Sequence, residues 1–132
     1  MDCITQNIAI GDEVEAADED SLIRLGITHV LIVRPIEVDY KKLCHIQIPW
    51  HDEENVRRLD EALDFMDQAI KDGGKVAVIC GAGIERSPLT VFAYLYKKCG
   101  LSIEEASHLV KSKRPQSDIH LDWLGEWLYL AP

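Results

Sequence analysis

At 132 residues, 47% hydrophobic and 28% charged, the chain suits one domain, 1–132, with enough apolar mass to bury a core without covalent staples. A net charge of −9 excludes the broad basic surfaces by which proteins bind nucleic acid or anionic lipid. No apolar run approaches the ~20 residues of a membrane span, so neither a nucleic acid nor a membrane is an expected partner.

Ile4 to Ile10 reads as one or two short strands ending at Gly11. An acidic run, Asp12 to Asp20, leads into a short helix, Ser21 to Leu25, stopped by Gly26; acids there suit the positive end of a helix. Ile27 to Val33 is continuously apolar, which predicts a buried strand, and Arg34-Pro35 breaks it. Lys42 to Ile48 alternates and predicts a strand with one wetter face. From Asn55 to Ile70 the apolar residues Val56, Leu59, Leu63, Met66 and Ile70 fall on one helical face, ended by Gly73-Gly74.

Val76 to Ile79 is wholly apolar and is expected at the centre of the sheet. Leu89 to Cys99, apolar on most sides, predicts a helix buried against that sheet and closed by Gly100. Ser102-Ile103-Glu104-Glu105 is a capping box opening the next helix, which Pro115 follows. Asp118 is expected to cap a last helix whose Trp123, Leu124, Trp127 and Leu128 face the core. Strands alternating with helices around an apolar centre mean an α/β fold: one mostly parallel sheet of four to five strands, flanked by helices.

The four cysteines, Cys3, Cys44, Cys80 and Cys99, are widely spaced, with no pairing or zinc pattern. Together with an N-terminus lacking a secretory signal, they point to free thiols in the cytoplasm. Cys44 and Cys99 read as small buried hydrophobes. His29, His45 and His108 lack ligand spacing and read as ordinary strand or helix residues.

Cys80 has a different context. In Cys80-Gly81-Ala82-Gly83-Ile84-Glu85-Arg86-Ser87 it follows an apolar strand and precedes a long helix. A strand, a glycine-bearing loop and a helix start form a cradle for an oxyanion, with amide N–H groups turned inward and helix-end charge behind them. The same field favours a thiolate over a thiol. Arg86 closes the ring with a planar fork matched to two phosphate oxygens. The substrate-binding residues are therefore expected to be Gly81, Ala82, Gly83, Ile84, Glu85 and Arg86, with Cys80 as nucleophile.

This segment resembles the signature loop of the cysteine-dependent protein phosphatases, and the rest of the chain is similar to their small dual-specificity branch. Ile8-Ala9-Ile10-Gly11 resembles the opening strand and turn. Leu25-Gly26-Ile27-Thr28-His29-Val30-Leu31 resembles the helix-to-strand junction. Ile48-Pro49-Trp50-His51-Asp52 resembles the acid loop, and Val110-Lys111-Ser112-Lys113-Arg114-Pro115 the late helix end.

The resemblance implies attack by the Cys80 thiolate on phosphorus, a phosphocysteine intermediate and its hydrolysis by water, without metal or cofactor. Arg86 would hold the phosphoryl oxygens, Ser87 would ease departure of the sulfur, and Asp52 would protonate the leaving oxygen. Glu53, Glu54 and Glu85 are the alternative acids, although Glu85 reads better as a solvent-facing loop residue. The implied substrate is a phosphorylated protein or peptide, taken at tyrosine, serine or threonine by a monomer. A non-catalytic phosphate-binding module, or a phosphatase of a small molecule, phosphoinositide or RNA end, is the alternative. Two departures stand out. Ile79 replaces the histidine usual before the cysteine, and Gln116-Ser117-Asp118 replaces the proline-asparagine usual after the arginine-proline pair.

Overall fold

The structure, a computed structural model, describes residues 1–50 and 56–130. Five strands form one sheet in the order β1-β2-β5-β3-β4. They are β1 (Asp2–Cys3), β2 (Ile8–Gly11), β3 (His29–Ile32), β4 (Cys44–Gln47) and β5 (Val76–Ile79). Only β1 is antiparallel to its neighbour. The most apolar strand, β5, lies at the centre and all four of its residues are buried, because a parallel strand covered on both faces has no wet side to supply with polar residues.

Alternation along the strands divides the core in two. Ile8, Ile10, Leu31, Val76 and Val78 pack with Leu59, Leu63, Met66, Phe92 and Val110. These come from the helices α3 (Arg57–Lys71), α4 (Arg86–Lys97) and α5 (Ile103–Lys113). On the other face, Ala9, Val30, Ile32, Ala77 and Ile79 pack with Ala16, Leu22 and Ile27. That layer is built by α1 (Glu13–Ala16) and α2 (Glu19–Arg24). Helices on both faces of a mostly parallel sheet are the architecture expected from the sequence.

The acidic run holds more structure than a solvated cap. Asp12 and Glu15 cap α1 reciprocally, and Asp18 accepts from Ser21 N–H to start α2. Two helices form where one was expected because each caps with its own aspartate.

Three further expectations are corrected. Cys44 and Cys99 are exposed: Cys44 opens the edge strand β4, and Cys99 lies just past the end of α4. Asp118 caps no helix; its backbone N–H donates to Ile84 O at 2.7 Å. The last helix is divided into a 3-10 turn, Leu121–Leu124, and α6 (Trp127–Leu130). Gly125 separates them at φ 51°, a conformation that L side chains resist. Trp127 is buried and Trp123 only partly so.

The register carries the functional consequence. Gly11, Ile79 and Ile32 stand abreast at the C-terminal ends of β2, β5 and β3. The chain after each strand therefore emerges at one edge of the sheet, the usual place for a ligand in α/β folds.

Candidate active site

Cys80 is the first residue beyond β5, 4% exposed, and the Ser87 N–H at the head of α4 donates to its Sγ at 3.4 Å. Between them, the carbonyls of the loop are drawn outward by named donors. Gly81 O accepts from Glu13 N–H at 3.0 Å, and Ile84 O from Asp118 N–H at 2.7 Å. Gly83 O accepts from Arg114 Nε at 2.7 Å, and Ala82 O from Arg114 Nη2 at 3.4 Å. Across a planar trans peptide the C=O and the following N–H point opposite ways. Outward carbonyls at 81–84 therefore turn the amides of Ala82, Gly83, Ile84 and Glu85 inward. Among the described residues, none of those amides donates to a protein acceptor.

Gly83 makes the turn at φ 68°, and a β-carbon there would stand 2.8 Å from Gly11 O and 2.5 Å from Arg114 Nη2. Only glycine combines that conformation with that closeness.

Arg86 begins α4. Its Nε is buried without a hydrogen-bond partner among the described residues, as is the Ser87 hydroxyl. Buried polar atoms are seldom left unpaired, and here both belong to the residues ringing Cys80. The Arg86 guanidinium lies 5.6 Å from the centre of the Trp123 ring, and Trp123 stacks on His120 at 4.1 Å and 9°. His120 Nε2 is 2.9 Å from Glu85 Oε2 and 3.3 Å from Asp118 Oδ2. Glu85, its side chain 47% exposed, faces solvent as expected and is in addition tied to this network through His120. These three side chains are also the described residues whose donor atoms, within 4.8 Å of one another, could hold a metal ion; here they engage each other.

The cavity over Cys80 is small, about 130 Å³, and is lined by the loop and by Arg34 from the end of β3. Larger hollows of about 480 and 510 Å³ lie between α3 and the C-terminal turn and beside β4, away from Cys80. Volume does not mark the site; the smaller hollow matches a tetrahedral oxyanion held by backbone amides and one fork.

Cys80, Arg86, Ser87 and the 81–85 backbone are therefore brought together. Asp52, Glu53 and Glu54, the candidate acids of the loop before α3, lie outside the described residues, as does His51. Trp50 does not line the cavity. It is fully buried and its Nε1 donates to Thr90 Oγ1 at 3.0 Å, while the same hydroxyl donates to Arg86 O at 2.7 Å, so it backs the start of α4. Ile79 is buried in the layer of α1 and α2.

Sequence reasoning missed Arg34, the brace provided by Arg114, and the His120–Trp123 stack. Arg34 was visible only as the end of a strand. Arg114 carried a signal in its match to the family's late helix end, but nothing local tells that its side chain crosses to the loop.

Comparison with known proteins agrees with this geometry. The family described as dual specificity phosphatase, catalytic domain, matches residues 8–128. Dual specificity protein phosphatase 1 of Arabidopsis thaliana is 35% identical over 117 residues, spanning 85% of this chain and 59% of that protein. Dual specificity protein phosphatase 1B of the same plant is 38% identical over 122 residues, 86% of this chain and 71% of that one. The chain thus spans between about half and three quarters of these two relatives. The crystal structure of human DUSP28 shares the fold, with a TM-score of 0.87 over 98% of this chain and 96% of that one at 23% identity. With a family match over nearly its whole length, and with the strand, loop and helix placed as described, the chain belongs to the dual specificity phosphatase catalytic-domain family.

Proposed function

We propose that the protein hydrolyses phosphate monoesters of phosphorylated proteins through a phosphocysteine intermediate. The observation that carries this reading is the outward capture of four successive loop carbonyls, which turns amides toward a hollow with Cys80 beside it. Such donors stabilise a developing anion without reorganising.

In the first step the Cys80 thiolate attacks phosphorus as the ester P–O bond breaks, and the leaving oxygen takes a proton from Asp52. In the second, water attacks the phosphocysteine, Asp52 takes its proton, the P–S bond breaks and inorganic phosphate leaves. Charge on the phosphoryl oxygens is met throughout by the amides and by the Arg86 fork, for in phosphoryl transfer positioning and electrostatics supply nearly all the catalysis. The unpartnered Ser87 hydroxyl supports a hydrogen bond to the departing sulfur. Substrates are phosphotyrosine and phosphoserine or phosphothreonine, in the cytoplasm; the three exposed unpaired cysteines, Cys3, Cys44 and Cys99, support a reducing compartment.

The test is p-nitrophenyl phosphate and phosphopeptide hydrolysis in the presence of a metal chelator. Cys80→Ser is expected to abolish turnover and Asp52→Asn to lower it ~100-fold or more. Turnover by Cys80→Ser equal to wild type removes the reading. Loss on Glu53, Glu54 or Glu85 substitution, with Asp52→Asn unaffected, moves only the acid.

A further inference from the structure

We infer that Trp123, clamped by His120, is a positioning residue for Arg86: its ring holds the guanidinium ready at the cradle before an oxyanion arrives. This rests on the phosphatase reading of the site and deepens it, naming what orients the fork that grips the phosphoryl oxygens.

The segment after α5 is tied to the cradle residue by residue. Asp118 N–H donates to Ile84 O at 2.7 Å, and His120 Nε2 lies 2.9 Å from Glu85 Oε2. The centre of the Trp123 ring lies 5.6 Å from the Arg86 guanidinium. Three consecutive cradle residues thus meet three residues of 118–123 in the same order. The first two ties set the loop's backbone and its carboxylate; the third falls on the charge itself. The stretch Gln116-Ser117-Asp118, where the chain departs from the family pattern, leads into them.

The ring is itself held from several sides. Its backbone N–H donates to His120 O at 3.0 Å, the two side chains stack at 4.1 Å and 9°, and Trp123 packs against the core. The imidazole is anchored in turn, with Nε2 also 3.3 Å from Asp118 Oδ2. An indole fixed in this way has little freedom left. A guanidinium at the end of a long stem has much, and surrenders it on binding. Arg86 Nε is buried without a hydrogen-bond partner among the described residues, so it does not set the plane of the fork. The indole face does, because its quadrupole attracts a cation at this range. A fork ordered in advance loses less on binding and presents both N–H groups to the phosphoryl oxygens in the geometry that the reaction needs.

The experiment measures tungstate affinity by calorimetry, and p-nitrophenyl phosphate kinetics, on the full chain; tungstate is a tetrahedral oxyanion that does not turn over. Trp123→Leu is expected to weaken tungstate about fivefold to tenfold, and to raise KM while lowering kcat, so that kcat/KM falls ~10-fold or more. Trp123→Phe, which keeps a ring face, should stay within about threefold of wild type. A merely structural role would lower the folded fraction, reducing kcat and leaving Kd and KM unchanged. In an Arg86→Ala background, Trp123→Leu should change tungstate affinity by less than about twofold, because the ring then has no fork to hold. His120→Ala leaves the indole unclamped and should weaken tungstate about threefold; it carries the test where Trp123→Leu fails to fold. Wild-type affinity in both Trp123→Leu and His120→Ala, a loss confined to kcat, or an undiminished loss in the Arg86→Ala background overturns the inference. So does a wild-type protein that binds no tungstate. Were the wild type to show this coupling in tungstate binding yet release no phosphate, only the hydrolytic reading would fall.

Discussion

Substituting Arg114 with methionine removes a buried cation while keeping most of its volume, and the structure sets the expected loss. The side chain is 4% exposed and joins parts of the chain far apart in sequence. Its two short bonds, to Gly83 O at 2.7 Å and Asp2 Oδ2 at 2.9 Å, carry most of the weight; those to Ile10 O and Ala82 O are both 3.4 Å. Leaving the carbonyl of buried Gly83 without a donor costs about 1–3 kcal/mol. The Asp2 carboxylate is 39% exposed and regains water, so its share is below about 1 kcal/mol.

Relief from burying the guanidinium offsets part of this, and about 1–3 kcal/mol remains for Arg114→Met. Arg114→Ala adds a cavity and so costs more. For a chain of this size the methionine variant is expected to melt roughly 4–12 °C lower. Phosphatase activity should fall further than stability, because the carbonyl released is one that turns a loop amide inward. Urea unfolding, calorimetry and p-nitrophenyl phosphate turnover on the same preparations check it, with Asp2→Ala as the control. A methionine variant melting within about 3 °C of wild type refutes the brace. So would an Asp2→Ala loss equal to that of Arg114→Met, which would move the effect to the exposed ion pair.

Two other perturbations separate geometry from charge. Gly83→Ala forces a side chain into left-handed backbone, at about 1–2 kcal/mol, and drives its β-carbon against Gly11 O. The loop must move, so kcat/KM is expected to drop ~100-fold; a value within threefold of wild type contradicts this. For Asp60, burial pushes its carboxyl up, but hydrogen bonds from Lys97 and Trp127 and the charges of Lys97 and Lys98 outweigh it and hold it below the ordinary aspartate value. A lowered folded pKa gives stability that is present above the unfolded value near 3.9 and lost as pH falls through the folded one. The side chain is half exposed, so the stability gap between wild type and Asp60→Asn is expected below about 1 kcal/mol at pH 7. Acid urea titrations should show it closing towards pH 2, and a constant gap from pH 6 to 2 would show the pairing to be idle.

Elements and chemistry were legible to different depths. Runs such as Val76–Ile79 and the spacing of Leu59, Leu63 and Met66 announce strand and helix because burial demands apolar residues at the period of each element. Asp118 misled because it stands where a cap belongs, while a tertiary partner, Ile84 O, claimed its amide. Trp123 and Trp127, four residues or about one turn apart, suggested one helix, but the positive φ at Gly125 divides it. Cys44 looked interior from its apolar neighbours, and nothing local tells an edge strand from a central one.

Read alone, the chain determined that an apolar strand, a glycine-bearing loop with Cys80 and Arg86, and a helix follow one another. Those are relations among neighbours, governed by backbone sterics and local hydrogen bonding. Which distant side chains complete the site was settled by strand register and helix packing. Arg34 came beside Gly81, Arg114 came beneath Gly83, and His120 and Trp123 came against Glu85 and Arg86. No local pattern encodes these meetings, because each depends on how the whole core closes around β5.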